Sequence, residues 1–245
     1  MKRCLIVGAT SAIAEETGRI LAREGARLVL AARDRAKLEA VAADLALRGA
    51  QVEGVFPFDA LDPEGFEALV ARADEALGGF DHLLVAHGVL PPPGEVDREV
   101  HERLASLRVN AGSVIGLLTA VAPRMKARGT GVIAVIGSVA GDRGRRSNYE
   151  YGAAKAAVHA YLEGLRAELA PAGVRVLTIK PGRVDTPMTR DFEKGALWAT
   201  APQVARGMVR AMERRQGVVY LPGIWRWIML VLRVLPESLF RRLPL

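Results

Sequence analysis

Ser138, Tyr151 and Lys155 have the residue types and the spacing to transfer a proton to a carbonyl oxygen. A separation of four residues places Tyr151 and Lys155 on one face of a helix. The neighbouring ammonium favours tyrosinate, so it would lower the pKa of the phenol from its usual value of ~10. Such a phenol can protonate a carbonyl while hydride arrives from a nicotinamide, and the Ser138 hydroxyl can hold the same oxygen.

A loop of small residues near the start of the chain could hold the phosphates of a dinucleotide. It covers Gly8–Ala14, between a short apolar run and a helical pattern. A tight turn of this kind lets backbone N–H groups approach a pyrophosphate at a helix N-terminus. The candidate contacts are Gly8, Thr10, Ser11 and Ile13. An ordinary strand-to-helix turn is the alternative, but the position at the first strand of a strand–helix repeat favours the phosphate interpretation.

The second apolar run ends where dinucleotide-binding proteins recognise the adenosine ribose. An acidic residue there binds the 2′-hydroxyl of NAD, whereas an arginine accommodates the 2′-phosphate of NADP. Arg33 comes first and Asp34 follows it, which favours NADP(H); a solvated loop charge is the alternative for Arg33. Further cofactor candidates lie at the ends of the third and fourth runs, where ligands collect in open α/β sheets: Asp59, Ala86 and Gly88.

Short apolar runs alternate with longer helical segments along the chain. The strand candidates are Leu5–Val7, Arg27–Ala32, Val52–Phe56, His82–Ala86, Val132–Ile136, Val174–Ile179 and Val218–Leu221. Helical segments between them include Ala12–Glu24, Ala36–Arg48, Pro63–Leu77, Val114–Arg128 and Tyr151–Leu169. This alternation predicts an α/β fold with a doubly wound parallel sheet of seven strands. We expect one domain over residues 1–221 and a tail over 222–245, with Pro91–Gly94 as a loop after the fourth strand.

Composition and charge exclude several classes of protein. A chain that is 50% hydrophobic and 25% charged is globular rather than disordered or fibrous. The net charge is +7, but residues 206–245 hold eight arginines against two glutamates, so the first 205 residues carry only +1 and give little support to nucleic-acid binding. The single cysteine, Cys4, excludes an intramolecular disulfide, and the histidines form no cluster, so no metal site is expected. The start of the chain lacks the pattern of a signal peptide, which predicts a cytoplasmic protein.

From end to end, the chain resembles a classical short-chain dehydrogenase/reductase with a Rossmann-type fold. The resemblance rests on the N-terminal loop, on Ser138 and on the Tyr151–Lys155 segment. It implies that Tyr151 is the general acid/base, that Lys155 lowers the tyrosine pKa and binds the nicotinamide ribose, and that Ser138 positions the substrate oxygen. It also implies that Asn110 holds a water in a proton relay. The residues implied beside the nicotinamide are Pro181, Gly182, Val184 and Thr186.

Two segments depart from the family pattern. Ala12 and Ala14 replace family glycines in the N-terminal loop, where close approach of a phosphate requires that φ stays negative. Val85–Gly88 stands where the family often has Asn-Asn-Ala-Gly, so only Gly88 matches there. His87 is expected to form a local hydrogen bond after the strand rather than to act as a second acid.

The connection between Ser138 and Tyr151 carries three arginines: Arg143, Arg145 and Arg146. Arginine suits the recognition of phosphate or carboxylate groups. A solvated loop is the alternative interpretation.

The tail contains an apolar run, Ile224–Leu235, with two tryptophans and two arginines. The run is shorter than the ~20 residues that span a membrane, but it suits a helix lying in a membrane interface, and Arg241 and Arg242 add attraction to anionic lipid. A helix packed on a partner subunit or over the substrate cleft is the alternative. The tail and the Gly141–Arg145 segment resemble a bacterial branch of the family that includes the reductase of a decaprenylphosphoryl 2-keto-pentose.

Together, these features predict an NADP(H)-dependent oxidoreductase that interconverts a carbonyl compound and a secondary alcohol, with a lipid-linked or phosphorylated keto-sugar as the candidate substrate. The alternative enzyme is a soluble ketone or 3-oxoacyl-thioester reductase whose tail builds an oligomer. A nucleotide-sensing binding protein is the alternative outside enzymes, although a sensor does not need a tuned phenol. We expect a cytoplasmic homo-oligomer, a dimer or tetramer, with peripheral contact to the inner face of the membrane through residues 224–245 and no nucleic-acid partner.

Overall fold

The computed structural model describes residues 1–91, 99–214 and 216–243. The strands of this part of the chain are β1 (Arg3–Val7), β2 (Arg27–Ala32), β3 (Gln51–Pro57), β4 (His82–Val85), β5 (Gly131–Ile136), β6 (Val174–Pro181), β7 (Arg183–Asp185), β8 (Trp198–Thr200) and β9 (Val218–Leu221). Its α-helices are α1 (Ala12–Arg23), α2 (Arg35–Leu47), α3 (Gly65–Leu77), α4 (Val100–Leu107), α5 (Ser113–Arg128), α6 (Tyr149–Leu169), α7 (Ala201–Glu213), α8 (Ile224–Val234) and α9 (Glu237–Phe240).

Seven strands form one parallel sheet in the order β3-β2-β1-β4-β5-β6-β9, as the sequence predicts. The chain winds outward from β1 in one direction through β2 and β3, and then in the other direction from β4 to β9. The order reverses between β1 and β4, and the carboxyl ends of parallel strands open a crevice at such a reversal. The loops that carry the predicted site residues leave the sheet at this edge.

Helices cover both faces of the sheet because successive side chains of a strand point to opposite sides. On one face, Cys4 and Ile6 of β1 pack in a core with residues of α1, α2 and α7. On the other face, Leu5 and Val7 pack with residues of α3, α5 and α6. Burial on both faces explains why these strands are uninterrupted apolar runs.

Helix α5 has a continuation that the sequence prediction omitted. Residues 100–128 are helical throughout, with a π-helical turn, Arg108–Gly112, between α4 and α5. By length and apolarity alone this stretch could cross a membrane, but half of its most apolar window is buried in the protein. Leu117, Leu118 and Val121 are completely buried in the core, so the apolarity is that of a core helix.

Some short elements are absent from the sequence prediction. Strands β7 and β8 have three residues each and pair with one another in parallel, outside the main sheet. Runs this short leave no period to detect. Of the predicted loop at Pro91–Gly94, only Pro91 belongs to the described residues, and it is in neither helix nor strand.

The tail folds back onto the body. Trp225 and Met229 of α8 form a small core with Val139, which directly follows Ser138, and Ile228 and Leu232 pack against it. Helix α8 begins and ends close to the predicted apolar run. One face of the helix therefore lies against the segment that carries a candidate catalytic residue.

Candidate active site

The first strand ends in a turn that requires glycine. Gly8 has φ +82°, in the left-handed region. A Cβ on Gly8 would lie 2.4 Å from the backbone nitrogen of His87, so no side chain fits between the end of β1 and the segment after β4. The N–H groups of Gly8 and Ala9 both donate to the Ala31 carbonyl, at 2.8 and 3.1 Å. These contacts hold the loop at the crevice between β1 and β4.

The alanines of this loop are compatible with close approach of a phosphate. Among the described residues, only glycines have a positive φ, so Ala12 and Ala14 keep ordinary helical conformations. Ser11 is the N-cap of α1 but makes no side-chain capping bond. The first N–H groups of α1 therefore carry the positive end of the helix dipole without an acceptor in the helix. Thr10 is half-buried beside them, and Ile13 buries its side chain, which leaves its backbone N–H as the group that could meet a phosphate.

Arg33 and Asp34 differ in what they bind. The Asp34 carboxylate accepts from the N–H of Lys37 at 3.0 Å and caps α2. Arg33 is exposed and, within the described part of the chain, makes no hydrogen bond or ion pair. Its guanidinium is available to a 2′-phosphate, whereas the carboxylate is engaged. Asp59, after β3, is exposed and accepts from the N–H of Leu61 at 2.9 Å.

Asn110 ties down the segment that follows β4. The residue is completely buried in the π-helical turn. Its Oδ1 accepts from the N–H of Val89 at 3.0 Å, and its Nδ2 donates to the Val89 carbonyl at 2.8 Å. A Cβ on Gly88 would lie 2.8 Å from Asn110 Oδ1 and 3.7 Å from Lys155 Nζ, so glycine lets the backbone pass close to both. Asn110 thus positions this strand end, and its part in a water relay stays a prediction.

His87 forms a hydrogen bond, but its partner lies in α5 rather than in the segment after the strand where the sequence predicts it. Its Nε2 lies 2.7 Å from Ser113 Oγ, and its ring packs 5.0 Å from the centre of the Phe58 ring. Burial, reinforced by the charge of Lys155, lowers the pKa of His87 to about 3. The imidazole is therefore neutral near pH 7 and does not act as an acid. Ala86, before it, extends the sheet by donating to the Val7 carbonyl at 2.8 Å.

Ser138, Tyr151 and Lys155 meet at the carboxyl end of β5. Ser138 follows that strand, and the other two residues lie in the first turns of α6. The Ser138 hydroxyl accepts from the N–H of Ala140 at 3.1 Å and lies near enough to the Tyr151 phenol to affect its pKa, and Lys155 Nζ lies 5.6 Å from the centre of the Tyr151 ring. Lys155 is only 3% exposed, and its ammonium donates a hydrogen bond to the Ile136 carbonyl at 3.0 Å. This bond holds the side chain in place and gives the buried charge a partner.

Burial is the main influence on the pKa values of Tyr151 and Lys155. It raises the pKa of Tyr151 to about 12, and the nearby Ser138 hydroxyl opposes this rise only in part. It also lowers the pKa of Lys155 to about 8. The direction predicted from the sequence for the tyrosine, a lowered pKa, is therefore wrong for the chain by itself, because removal from water favours the neutral form of both groups. A phenol that stays protonated is ready to donate to a carbonyl oxygen.

The turn after β6 is covered by the tail. Pro181 ends the strand, and a Cβ on Gly182 would fall 1.8 Å from Nε1 of Trp225, so only glycine leaves room for the indole. Trp225 is 4% exposed, and its Nε1 is buried without a hydrogen-bond partner. Val184 is buried in β7 and Thr186 is half-buried after it. Sequence reasoning missed Trp225 because no local pattern connects it with Gly182.

A buried polar cluster, also missed from the sequence, supports Ser138 from behind. The Asp142 carboxylate contacts Lys180 Nζ at 2.5 Å, the Tyr220 hydroxyl at 2.7 Å and His159 Nδ1 at 3.5 Å. Burial alone would raise the pKa of Asp142, but hydrogen bonds from these three partners hold it well below its usual range, so the group is ionised. On its other side, His159 Nε2 faces the N–H of Ser138 at 3.5 Å.

The side chain of Arg143 binds the tail and does not take part in the cleft. Its guanidinium donates to the carbonyls of Leu232 and Leu235, pairs with Glu237 at 3.1 Å and lies 3.9 Å from the centre of the Phe240 ring. An arginine at a helix C-terminus satisfies carbonyls that have no partner in the helix. Neither sequence interpretation, anion recognition or a solvated loop, describes this residue.

Comparisons with known sequences give a consistent result. A sequence model of the family described as short chain dehydrogenase matches residues 2–196. An uncharacterized oxidoreductase of Streptomyces coelicolor is 38% identical over 243 residues, covering 98% of this chain and 94% of that protein. An uncharacterized oxidoreductase of Mycobacterium tuberculosis is 35% identical over 240 residues, covering 98% and 96%. Both alignments therefore extend into the tail.

Solved structures share the fold. A short chain dehydrogenase/reductase family protein superposes with a TM-score of 0.78 at 29% identity, covering 90% of this chain and 97% of the other. Actinorhodin polyketide ketoreductase, solved with NADPH, superposes with a TM-score of 0.80 at 25% identity, covering 90% and 95%.

Proposed function

We propose, from the premise that this chain belongs to the short-chain dehydrogenase/reductase family, that it is an NADP(H)-dependent enzyme that interconverts a carbonyl compound and a secondary alcohol. The family consists of oxidoreductases that use a nicotinamide cofactor on small molecules. The observation that carries the proposal is the grouping of Ser138, Tyr151 and Lys155, with Lys155 Nζ 5.6 Å from the centre of the Tyr151 ring, at the same edge of the sheet as the Gly8 turn.

The residues at this edge fit a dinucleotide. The N-terminus of α1, whose N-cap Ser11 makes no side-chain capping bond, would hold the pyrophosphate through its first N–H groups. Arg33 would bind the 2′-phosphate of NADP. Asp59 and Ala86 would border the cofactor after β3 and β4, Gly88 lies beside Lys155, and the turn that begins at Pro181 would border the nicotinamide.

The catalytic residues have distinct tasks in carbonyl reduction. A bound reduced nicotinamide supplies hydride to the carbonyl carbon. The hydroxyls of Ser138 and Tyr151 hold the carbonyl oxygen, and Tyr151 donates its proton to that oxygen as negative charge develops on it. The Lys155 ammonium stabilises the phenolate that remains. In the oxidative direction the phenolate takes the proton back from the alcohol.

Two substrate classes remain open for this site. The resemblance of the tail and of the Gly141–Arg145 segment to one bacterial branch of the family supports a lipid-linked or phosphorylated keto-sugar. The likeness to a polyketide ketoreductase supports a soluble ketone or a 3-oxoacyl thioester instead. We favour the first class because helix α8 joins the tail to the site through Trp225 and Gly182.

The surface of the tail supports peripheral contact with a membrane. Apolar side chains on the outer side of α8 are 51–74% exposed: Ile224, Trp227, Leu230, Val231 and Val234. Arg226 and Arg233 are exposed on the same helix. This surface supports the proposal of a cytoplasmic protein in peripheral contact with the inner face of the membrane.

A second apolar surface supports assembly into a homo-oligomer. Val100, Leu104 and Leu107 are 72%, 49% and 41% exposed at helical spacing on α4. This stripe lies on α4, whereas the surface proposed for membrane contact lies on α8.

Tyr151→Phe tests the proposed chemistry. The variant keeps the ring but loses the proton, so we expect kcat for NADPH-dependent ketone reduction to fall by about a thousandfold, with NADPH binding preserved in a fluorescence titration. Tyr161→Phe is the matched control on the same helix, because within the described part of the chain its hydroxyl has one hydrogen-bond partner, Thr119, at 3.4 Å. Retained turnover in Tyr151→Phe contradicts the mechanism. NADPH binding without turnover of any carbonyl by the unaltered protein would favour the nucleotide-sensing alternative.

A further inference from the structure

Two arginines beside the catalytic trio are not neutralised by the protein. Arg145 lies in the connection between Ser138 and Tyr151, and Arg183 directly follows Gly182. Within residues 1–91, 99–214 and 216–243, neither side chain takes part in a hydrogen bond or an ion pair. Both residues lie on segments that lead to the reacting groups. Arg183 is exposed to solvent, whereas Arg145 is half-buried, so Arg145 is the one whose charge the fold leaves both partly buried and without a partner in that part of the chain.

The surroundings of Arg145 are unfavourable to a lone cation. The residue is half-buried, and its Nε is buried without a hydrogen-bond partner. Burial lowers the pKa of Arg145, and repulsion from Arg183 adds to that effect. Asp142, which attracts the guanidinium from a distance, is already bound by Lys180 and Tyr220. A buried donor without an acceptor and a neighbouring like charge both cost free energy, and an anion between the two arginines would remove both costs.

The other arginines of the same connection show that this is not a general feature of the loop. Arg143 is completely engaged by the end of α8. Arg146 is exposed to solvent, where an unpaired arginine costs little. Of these three arginines, Arg145 alone is both partly buried and unpaired among the described residues, and the positive charge of Arg183 lowers its pKa.

We infer that Arg145 and Arg183 form an anion subsite of the substrate cleft, which binds a phosphate or carboxylate group of the carbonyl substrate. The inference rests on the proposed function and narrows its substrate class to anionic carbonyl compounds. A guanidinium binds such groups through two parallel N–H···O bonds, so the pair can both attract and orient the substrate.

This subsite is separate from the one that would take the cofactor phosphate. Arg33 follows β2, whereas Arg183 follows β6, and three strands lie between these two. At the usual spacing of neighbouring strands the separation is roughly 20 Å. An anion held at Arg145 and Arg183 therefore belongs to the substrate and leaves the 2′-phosphate of NADPH bound elsewhere.

The test compares matched carbonyl compounds at saturating NADPH: a 3-oxo acid with its methyl ester, and dihydroxyacetone phosphate with dihydroxyacetone. In Arg145→Gln and Arg183→Gln, we expect KM for each anionic compound to rise about tenfold, the value of one charge-assisted hydrogen bond. KM for the neutral compound should stay within about twofold. Arg146→Gln is the control on the same loop and should leave both unchanged. Equal changes for anionic and neutral compounds would overturn the subsite while leaving carbonyl reduction intact.

If none of these compounds is turned over, that result counts against the proposed function. A binding measurement then still tests the anion subsite. Inorganic phosphate is titrated into the NADPH-saturated protein and followed by the broadening of its phosphorus resonance. Binding that is lost in Arg145→Gln and Arg183→Gln but retained in Arg33→Ala supports the subsite; binding that persists in both, or none at all, refutes it. Dodecyl phosphate forms the second arm. Tighter binding of this lipid phosphate, lost in the same variants, assigns the anion to a lipid-linked substrate; equal binding assigns it to a free phosphate group.

Discussion

At the end of β2, two adjacent charged residues have different roles, and we propose that this difference sets the cofactor preference. Asp34 caps α2, so its carboxylate is committed to the Lys37 N–H. Arg33 stands exposed at the position where a 2′-phosphate would lie. Asp34 thus caps the helix, and the adjacent Arg33 is left to bind the cofactor. A preference for NADP(H) would follow because the arginine, and not the carboxylate, is without a partner in the described part of the protein.

Arg33→Ala should weaken NADPH binding by about tenfold to a hundredfold, because one charge-assisted contact to the 2′-phosphate is lost. NADH binding should change by less than about twofold, since NADH has no such phosphate. Dissociation constants from fluorescence titration measure both effects. Arg48→Ala, just beyond the other end of α2, is the control for loss of a positive charge. Equal weakening of NADPH and NADH would refute the role of Arg33.

The protonation of Tyr151 makes the two reaction directions respond differently to pH. Its pKa is raised to about 12, so the neutral phenol required for reduction persists across the neutral range. We expect alcohol oxidation, which needs the phenolate, to rise about tenfold per pH unit between about pH 6 and 7, where Lys155, with its pKa of about 8, still carries its charge, while reduction loses no rate through tyrosine ionisation. Pre-steady-state rates in both directions provide the measurement. A plateau of the oxidation rate below about pH 7 would instead show that Lys155 lowers the tyrosine pKa in the loaded enzyme.

At the scale of elements, the connection between β5 and α6 joins the catalytic residues to the tail. Asp142 binds Lys180 of β6 and Tyr220 of β9, and the next residue, Arg143, binds the end of α8. Two consecutive side chains thus tie the same segment to the sheet and to the tail. The segment that begins at Ser138 is therefore held in place by contacts of Asp142 and Arg143 with β6, β9 and the end of α8.

Removal of the Arg143 clamp should loosen α8 and disturb the site. Arg143→Ala leaves the carbonyls at the end of α8 without a donor, so we expect the free energy of unfolding to fall by about 2 kcal/mol. Amide exchange in residues 224–240 should accelerate, and kcat should fall because Val139 and Gly182 lose their packing partner Trp225. Chemical denaturation and hydrogen exchange measure these effects, with Arg146→Ala as the exposed control. Unchanged exchange in α8 would show that the apolar contacts alone hold the tail.

At the scale of the whole molecule, an excess of positive charge and an exposed apolar surface occur together in the tail. Residues 222–245 hold four arginines against one glutamate, so they carry +3 of the net +7. Helix α8 buries Trp225 and Met229 against the body and presents Trp227 and Val231 to solvent at 61% and 59% exposure. An exposed apolar stripe beside arginines matches an anionic bilayer surface in both polarity and charge.

Substitutions on the outer face of α8 test the membrane proposal without removing the buried contacts. We expect the intact protein to sediment with vesicles that contain about one-third phosphatidylglycerol, and less so at high salt. Trp227→Ser with Val231→Ser should reduce the bound fraction at least about fivefold. Leu104→Ser, on α4, controls for the loss of any exposed apolar residue. Failure of the intact protein to bind vesicles contradicts the proposal, and a change in oligomeric mass in the α8 variant would identify the face as a subunit interface.

Much of the fold follows from local patterns. Each strand of the main sheet overlaps its predicted run because strands buried on both faces are continuous apolar segments between helices. The Gly8 turn is recognisable because it joins the first strand to a helix. Ser138, Tyr151 and Lys155 could be grouped because two of them share a helix face and the third ends the strand before it. Short elements such as β7 and β8 could not be predicted, since three residues have no period.

The sequence alone therefore determined the parallel sheet, the phosphate turn and the identity of the candidate catalytic trio, because each depends on residues close together in the chain. Tertiary structure decided the direction of the Tyr151 pKa shift, the engagement of Arg143 by α8 and the packing of Trp225 on Gly182. These properties depend on burial and on partners from distant segments, which spacing does not encode. The same physical reason separates Arg145 from its neighbours: all three loop arginines look alike in sequence, and only the folded chain leaves this one partly buried and unpaired.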